Sequence, residues 1–136
     1  MSFWKKSVTP AQWLSEVRFF EGFTDAELAR VAELCTEATA DKGAIIIDQG
    51  DAATECFVIV EGAASVYMSG EYVATLGAGT VVGEMALVDH KPRIATVQAD
   101  SELHLLRFEA SQFAKLLEEM PKASERVMTL LHERLT

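Results

Sequence analysis

Glycine divides the middle of this chain, residues 37–108, into runs too short for helices and the right length for strands. Gly43, Gly50-Asp51, Gly62, Ser69-Gly70 and Gly77-Ala78-Gly79 read as turns, because these residue types reach the backbone conformations that turns require. Between them, residues 44–47 and 56–60 are β-rich and apolar on both faces, as buried strands are. Ala95, Val97 and Ala99 alternate with Thr96 and Gln98, the period of a half-buried strand. Residues 103–108 close the run. Several short strands at this spacing predict a sandwich or a barrel.

Helix signals flank the strands. Thr9-Pro10-Ala11-Gln12 reads as a start, with threonine as cap, proline at the first helical position and glutamine placed to close a capping box. Trp13, Val17 and Phe20 then recur at i, i+4 and i+7 and make one apolar face. Phe3, Trp4, Lys5 and Lys6 suggest a membrane-surface helix. Its polar face is poor in Lys and Arg, however, so packing on its own domain is the expectation. A second start at Thr24-Asp25-Ala26-Glu27 turns Leu28, Val31 and Leu34 or Cys35 inward. Residues 111–120 form a helix with Phe113, Leu116 and Leu117 inward. Pro121 ends it and opens another over residues 122–135. On that last helix Ala123, Val127, Leu130 and Leu131 make an apolar stripe, and Arg134 shares the face of the two leucines.

Size and charge exclude several functions. At 136 residues the chain suits one domain with a real core, and an apolar share of 49% is that of a globular protein. A net charge of −9, with 12 dispersed basic residues, argues against a nucleic-acid groove. No apolar run approaches a membrane span, and no signal-peptide core follows Lys5-Lys6, so no membrane role and a cytoplasmic location are expected. Cys35 and Cys56 are then reduced core thiols. His90, His104 and His132 have no ligand spacing to one another or to a cysteine, so no metal site is expected. Glu102, Glu109, Glu118 and Glu119 read as solvated charges. Motifs for nucleophilic, metal-assisted or phosphate-loop hydrolysis are missing, and the chain is not expected to be an enzyme.

One string carries chemistry. Val81-Val82-Gly83-Glu84-Met85-Ala86-Leu87-Val88 is followed closely by Pro92-Arg93-Ile94-Ala95-Thr96-Val97. If Glu84 opens a helical turn, its free amides form an anion site. Arg93 supplies a planar donor fork suited to phosphate oxygens. Glu84, an acceptor when ionised, suits a ribose hydroxyl and repels phosphate. The two together describe the sugar-phosphate of a nucleotide. The alternative is a simple Glu84–Arg93 salt bridge across a surface loop.

These residues resemble the phosphate-binding cassette of the cyclic nucleotide-binding domain family, roughly Gly-Glu-x-Ala-Leu, a loop, then Arg-x-Ala-Thr/Ser-Val. Gly83, Glu84, Ala86, Leu87, Arg93, Ala95, Thr96 and Val97 match it. The strings Gly43 through Asp51, Phe57 through Gly62, and Phe20-Glu21-Gly22-Phe23 extend the resemblance from about Phe19 to the C-terminus. It implies an α+β, mainly β fold: an antiparallel β-barrel or jelly roll with N-terminal helices, a short cassette helix and two C-terminal helices. Residues 1–18 would be an N-terminal helical segment and 19–136 a single binding domain with no output domain. The implied ligand site is Gly83, Glu84, Met85, Ala86, Arg93, Ile94 and Ala95. Glu84 would hold the ribose 2′-hydroxyl, Arg93 the cyclic phosphate, and amides near Ala86 and at Ile94 would complete the shell. Arg134 would be a lid contact to the purine; the other reading is a solvated terminal arginine.

Ile94 departs from the family's usual Ala, Ser or Thr. It brings bulk beside the phosphate and removes a hydroxyl used for guanine, which leans the ligand from cGMP to cAMP. The expected function is a stand-alone cAMP sensor that signals to an unidentified protein partner by rearranging its last helices. Two other readings stand beside it. One is an interaction domain that kept the fold and lost binding; the other is a homodimer built on Val127, Leu130 and Leu131.

Overall fold

The computed structural model describes residues 14–135, with side chains as far as residue 129. The predicted start at Thr9, together with Trp13, lies outside them. A 3₁₀ turn over Arg18–Phe20 leads to α1 (Asp25–Glu33), whose capping box forms as the sequence specifies. Thr24 Oγ1 accepts from the Glu27 amide at 3.1 Å, and the Thr24 amide donates to Glu27 Oε1 at 2.8 Å. Each satisfies a donor that a bare helix start leaves free. The strands follow as β1 (Thr36–Ala40), β2 (Ile45–Ile47), β3 (Glu55–Glu61), β4 (Ala64–Met68), β5 (Glu71–Leu76) and β6 (Val81–Val82). Then come α2 (Glu84–Asp89), β7 (Thr96–Ala99), β8 (Leu103–Glu109), α3 (Ala110–Glu119) and α4 (Pro121–Leu135).

The strands form two four-stranded antiparallel sheets, β1-β8-β3-β6 and β2-β7-β4-β5. They pack as a jelly-roll sandwich and do not close into a barrel, the first of the two forms expected from the strand spacing. Strand β3 is buried on both faces. Phe57 and Ile59 join Ile47, Val82, Val97 and Leu105 between the sheets. Cys56, Val58 and Val60 face the opposite way, with Leu106 and Phe108, onto the helices. Each large side chain buried there contributes about 1.5–3 kcal/mol.

Among the described residues the helices pack on the first sheet, and that corrects one expectation. The sequence of β2 predicts burial on both faces, yet Ile45 is 55% exposed while Ile47 is buried. Among the described residues no helix covers the outer face of its sheet. At the N-terminal end Val17 and Phe20 are buried as predicted, and so is Leu14, which the i, i+4, i+7 pattern left out; Phe20 lies in the 3₁₀ turn and not in a continuous helix. Phe20 packs edge-on against Phe19 and Phe23.

Cations fasten the helices to one another. Arg30 donates from Nε and Nη2 to both oxygens of Glu119 at 2.8 Å, so Glu119 is an ion-pair partner and not a lone solvated charge. Lys122 Nζ reaches Glu27 Oε1 at 2.8 Å and the Gly22 carbonyl at 3.1 Å. One turn on, Arg126 donates to the carbonyls of Phe19 and Glu21. Val127 is buried in this same core, which takes it out of the stripe proposed for a dimer.

Candidate functional site

Gly83 opens the site because only glycine is comfortable there. It sits at φ +86°, in the left-handed region, and caps the six-residue helix α2. A Cβ at this position would lie 2.6 Å from Arg93 Nη1 and 2.7 Å from Ile47 Cδ1. Glycine therefore makes room for the arginine itself. Glu84 follows as the first residue of α2 and is 1% exposed; Met85 is also buried.

Arg93 arrives from the other side. Helix α2 ends at His90, itself at φ +57°, and the exposed residues His90, Lys91 and Pro92 bring the chain back. Arg93 is 7% exposed. Its Nη1 donates to the Gly83 carbonyl at 2.6 Å and its Nη2 to the Glu55 carbonyl. Its main chain is gripped as well: the Arg93 amide donates to Asp51 O at 2.9 Å, and Arg93 O accepts from the Gly50 amide at 2.8 Å.

The electrostatics agree with this geometry. Burial lowers the Arg93 pKa from its ordinary value, against the opposing pull of Cys56, Glu55 and Glu84. The Cys56 thiol, fully buried, is pushed up by burial and then by Glu84, with Arg93 pulling it back. Glu84, Arg93 and Cys56 thus feel one another within a single buried cluster. A surface salt bridge is not what the structure contains.

Of the predicted residues, the structure brings together Gly83, Glu84 and Arg93. Ala86 lines a cleft of about 600 Å³ with Leu87, His90, Lys91, Pro92 and Phe113. Glu84 lines a different one, of about 670 Å³, with Phe19, Thr80, Val81 and Arg126. Arg93 lines neither, because its guanidinium is turned under Gly83. The side chain of Ile94 is 70% exposed, and Ala95 is half-buried ahead of β7. Arg134 falls on α4 beyond the residues whose side chains are described, as do Leu130 and Leu131.

Sequence reasoning missed the grips on Arg93 from Gly50, Asp51 and Glu55. All three act through main-chain atoms, which leave no side-chain signature. The Gly50-Asp51 turn was visible; its contact with a residue some 40 positions away was not.

Among the described residues no group of three or more His, Cys, Asp or Glu is arranged to hold a metal ion. No helix of the described residues is long and apolar enough to cross a membrane.

Comparison with known proteins bears on the whole assembly. A family model described as cyclic nucleotide-binding domain matches residues 37–120. The chain is 37% identical over 123 residues to glutaminase 1 of Bradyrhizobium diazoefficiens, covering 90% of this chain and 20% of that protein. It is 33% identical over 115 residues to a cAMP-dependent protein kinase regulatory subunit of Mycosarcoma maydis, covering 78% of this chain and 22% of that protein. The chain thus spans about a fifth of each of these two relatives. Among solved structures, the regulatory domain of Toxoplasma gondii PKA, co-crystallised with cAMP, superposes with a TM-score of 0.78 at 25% identity. That match covers 93% of this chain and 48% of the other.

Proposed function

This chain belongs to the cyclic nucleotide-binding domain family, and on that premise we propose that it binds cAMP, with cGMP as the second choice, through Arg93 and Glu84. The family is one of non-catalytic binding modules. The observation that carries the reading is Arg93: a buried guanidinium, its fork aimed at two neutral carbonyls, beside the buried Glu84. Burying a charge is costly unless strong partners offset the lost water. A phosphate oxygen is a stronger acceptor for that fork than a carbonyl, because the bond is charge-assisted. Binding would exchange the Gly83 carbonyl for phosphate at Arg93. Glu84 would take the ribose 2′-hydroxyl, amides near Ala86 and at Ile94 would close around the phosphate, and Met85 and Ala95 would flank it. Arg134 would reach the purine from α4.

The remainder of the reading concerns output. Residues 19–136 act as one cytoplasmic binding domain, with 1–18 as an accessory segment. Nucleotide shifts α3 and α4, and a protein partner in trans reads the shift. Such a shift requires cAMP to bind one arrangement better than the other.

Replacing Arg93 with alanine should weaken cAMP binding by about 2–5 kcal/mol, the usual result of stripping one partner from a buried charge-assisted contact. Calorimetry on the wild type and Arg93→Ala measures it, and equal affinities would end the proposal. A second reading, an interaction domain that does not use nucleotide, is favoured by the same filled fork and by the exposed Ile94. It predicts no change in melting temperature with millimolar cAMP or cGMP, whereas a specific ligand must raise it.

A further inference from the structure

Arg93 has two grips, and only the one on its guanidinium has been given a purpose. The main-chain grip belongs to a four-residue turn. The Asp51 amide donates to Asp48 O at 3.1 Å, and Gly50 stands third in the turn at φ +92°, as a type II turn requires. This turn exchanges two main-chain hydrogen bonds with Arg93, through the Gly50 amide and Asp51 O.

A side chain locks the same turn from its other end. Thr96 Oγ1 donates to Asp48 Oδ1 at 3.0 Å and accepts from the Gln49 amide at 3.1 Å. Gln49 Oε1 in turn accepts from the Ser69 amide at 2.8 Å, at the tip of the β4–β5 hairpin. Segments 48–51 and 93–96 are therefore pinned at two points: Gly50 and Asp51 on Arg93, Asp48 and Gln49 on Thr96. With one pin the turn can swivel against the cassette; with two it cannot.

We propose that this turn, locked by the Thr96 hydroxyl, sets the main chain of Arg93 and so aims its guanidinium at the phosphate, which makes Thr96 and Gln49 positioning residues. The proposal rests on the reading that Arg93 binds the phosphate. A donor fork is sensitive to misplacement of about 0.5 Å or 10–20°, and Arg93 hangs from the segment that the turn holds.

Thr96→Val keeps the shape of the side chain and removes the hydroxyl; Thr96→Ser keeps the hydroxyl. By the usual strength of such bonds, Thr96→Val should weaken cAMP binding about three- to tenfold, and Thr96→Ser should restore most of it. A double-mutant cycle with Arg93→Lys separates positioning from general support. Lysine has no fork to aim, so the effect of Thr96→Val should largely vanish in that background. Equal losses in both backgrounds, or wild-type affinity in Thr96→Val, would overturn the proposal. Hydrogen exchange tests the same lock without nucleotide: in Thr96→Val the Gly50 and Arg93 amides should exchange faster while β3 is unchanged. Unaltered protection at both amides would also overturn it. Full cAMP affinity in Arg93→Lys and Arg93→Ala would instead remove the underlying reading, and the proposal with it.

Discussion

Gly83 and Arg93 form one unit at the scale of single residues. The glycine supplies a left-handed backbone, an acceptor carbonyl and the empty space in which Nη1 lies. Gly83→Ala adds a strained φ and a contact at 2.6 Å, so two penalties fall on one position. Stability should drop by about 1–3 kcal/mol, the cost of forcing a non-glycine residue into that region, and cAMP affinity should fall with it. Urea denaturation and calorimetry check the two effects separately. An alanine variant with wild-type stability and affinity would contradict the shared role. The sequence showed Gly83, Glu84 and Arg93 as a set because their spacing is a local pattern. It did not show that the glycine accommodates the arginine, because that contact depends on how the loop of residues 90–92 returns.

At the scale of elements, α4 is tied at its start to the N-terminal layer. Ala123 and Val127 are buried there, and Lys122 and Arg126 bind carbonyls of the segment running from Phe19 to Gly22. Any shift of α4 must either carry the 3₁₀ turn with it or break these bonds. Arg126→Ala should therefore loosen the turn, at a cost of about 1.5–3 kcal/mol for hydrogen bonds from a charged group. The readout is faster amide exchange over Arg18–Phe20 and the first turns of α4, and unchanged exchange there would refute the tie. The helix boundaries around Pro121 and the capping box at Thr24 were legible in the sequence, since proline and capping chemistry act within a few residues. The exposure of Ile45 and the pairing of Glu119 with Arg30 were not. Each depends on which sheet the helices cover, and periodicity along one strand or helix carries no such information.

At the scale of the whole molecule, the design is asymmetric. Among the described residues, helices cover one sheet, the cassette runs on from the edge strand β6, and the other sheet leaves Ile45, Tyr72 and Val73 exposed. A net charge of −9 gives no long-range attraction to an anionic ligand, so recognition falls to buried local groups. Strand spacing left a sandwich and a barrel both open and the family resemblance implied a barrel or jelly roll; the pairing of the strands into two separate sheets decides for the sandwich. The central claim is that a cyclic nucleotide occupies the cassette between Glu84 and Arg93. A crystal structure of the chain grown with cAMP tests it most directly. The account predicts a phosphate oxygen within hydrogen-bonding distance of the Arg93 guanidinium, in place of the Gly83 carbonyl, and the ribose 2′-hydroxyl on Glu84. A nucleotide bound elsewhere, with Arg93 still held on Gly83 and Glu55, would contradict it.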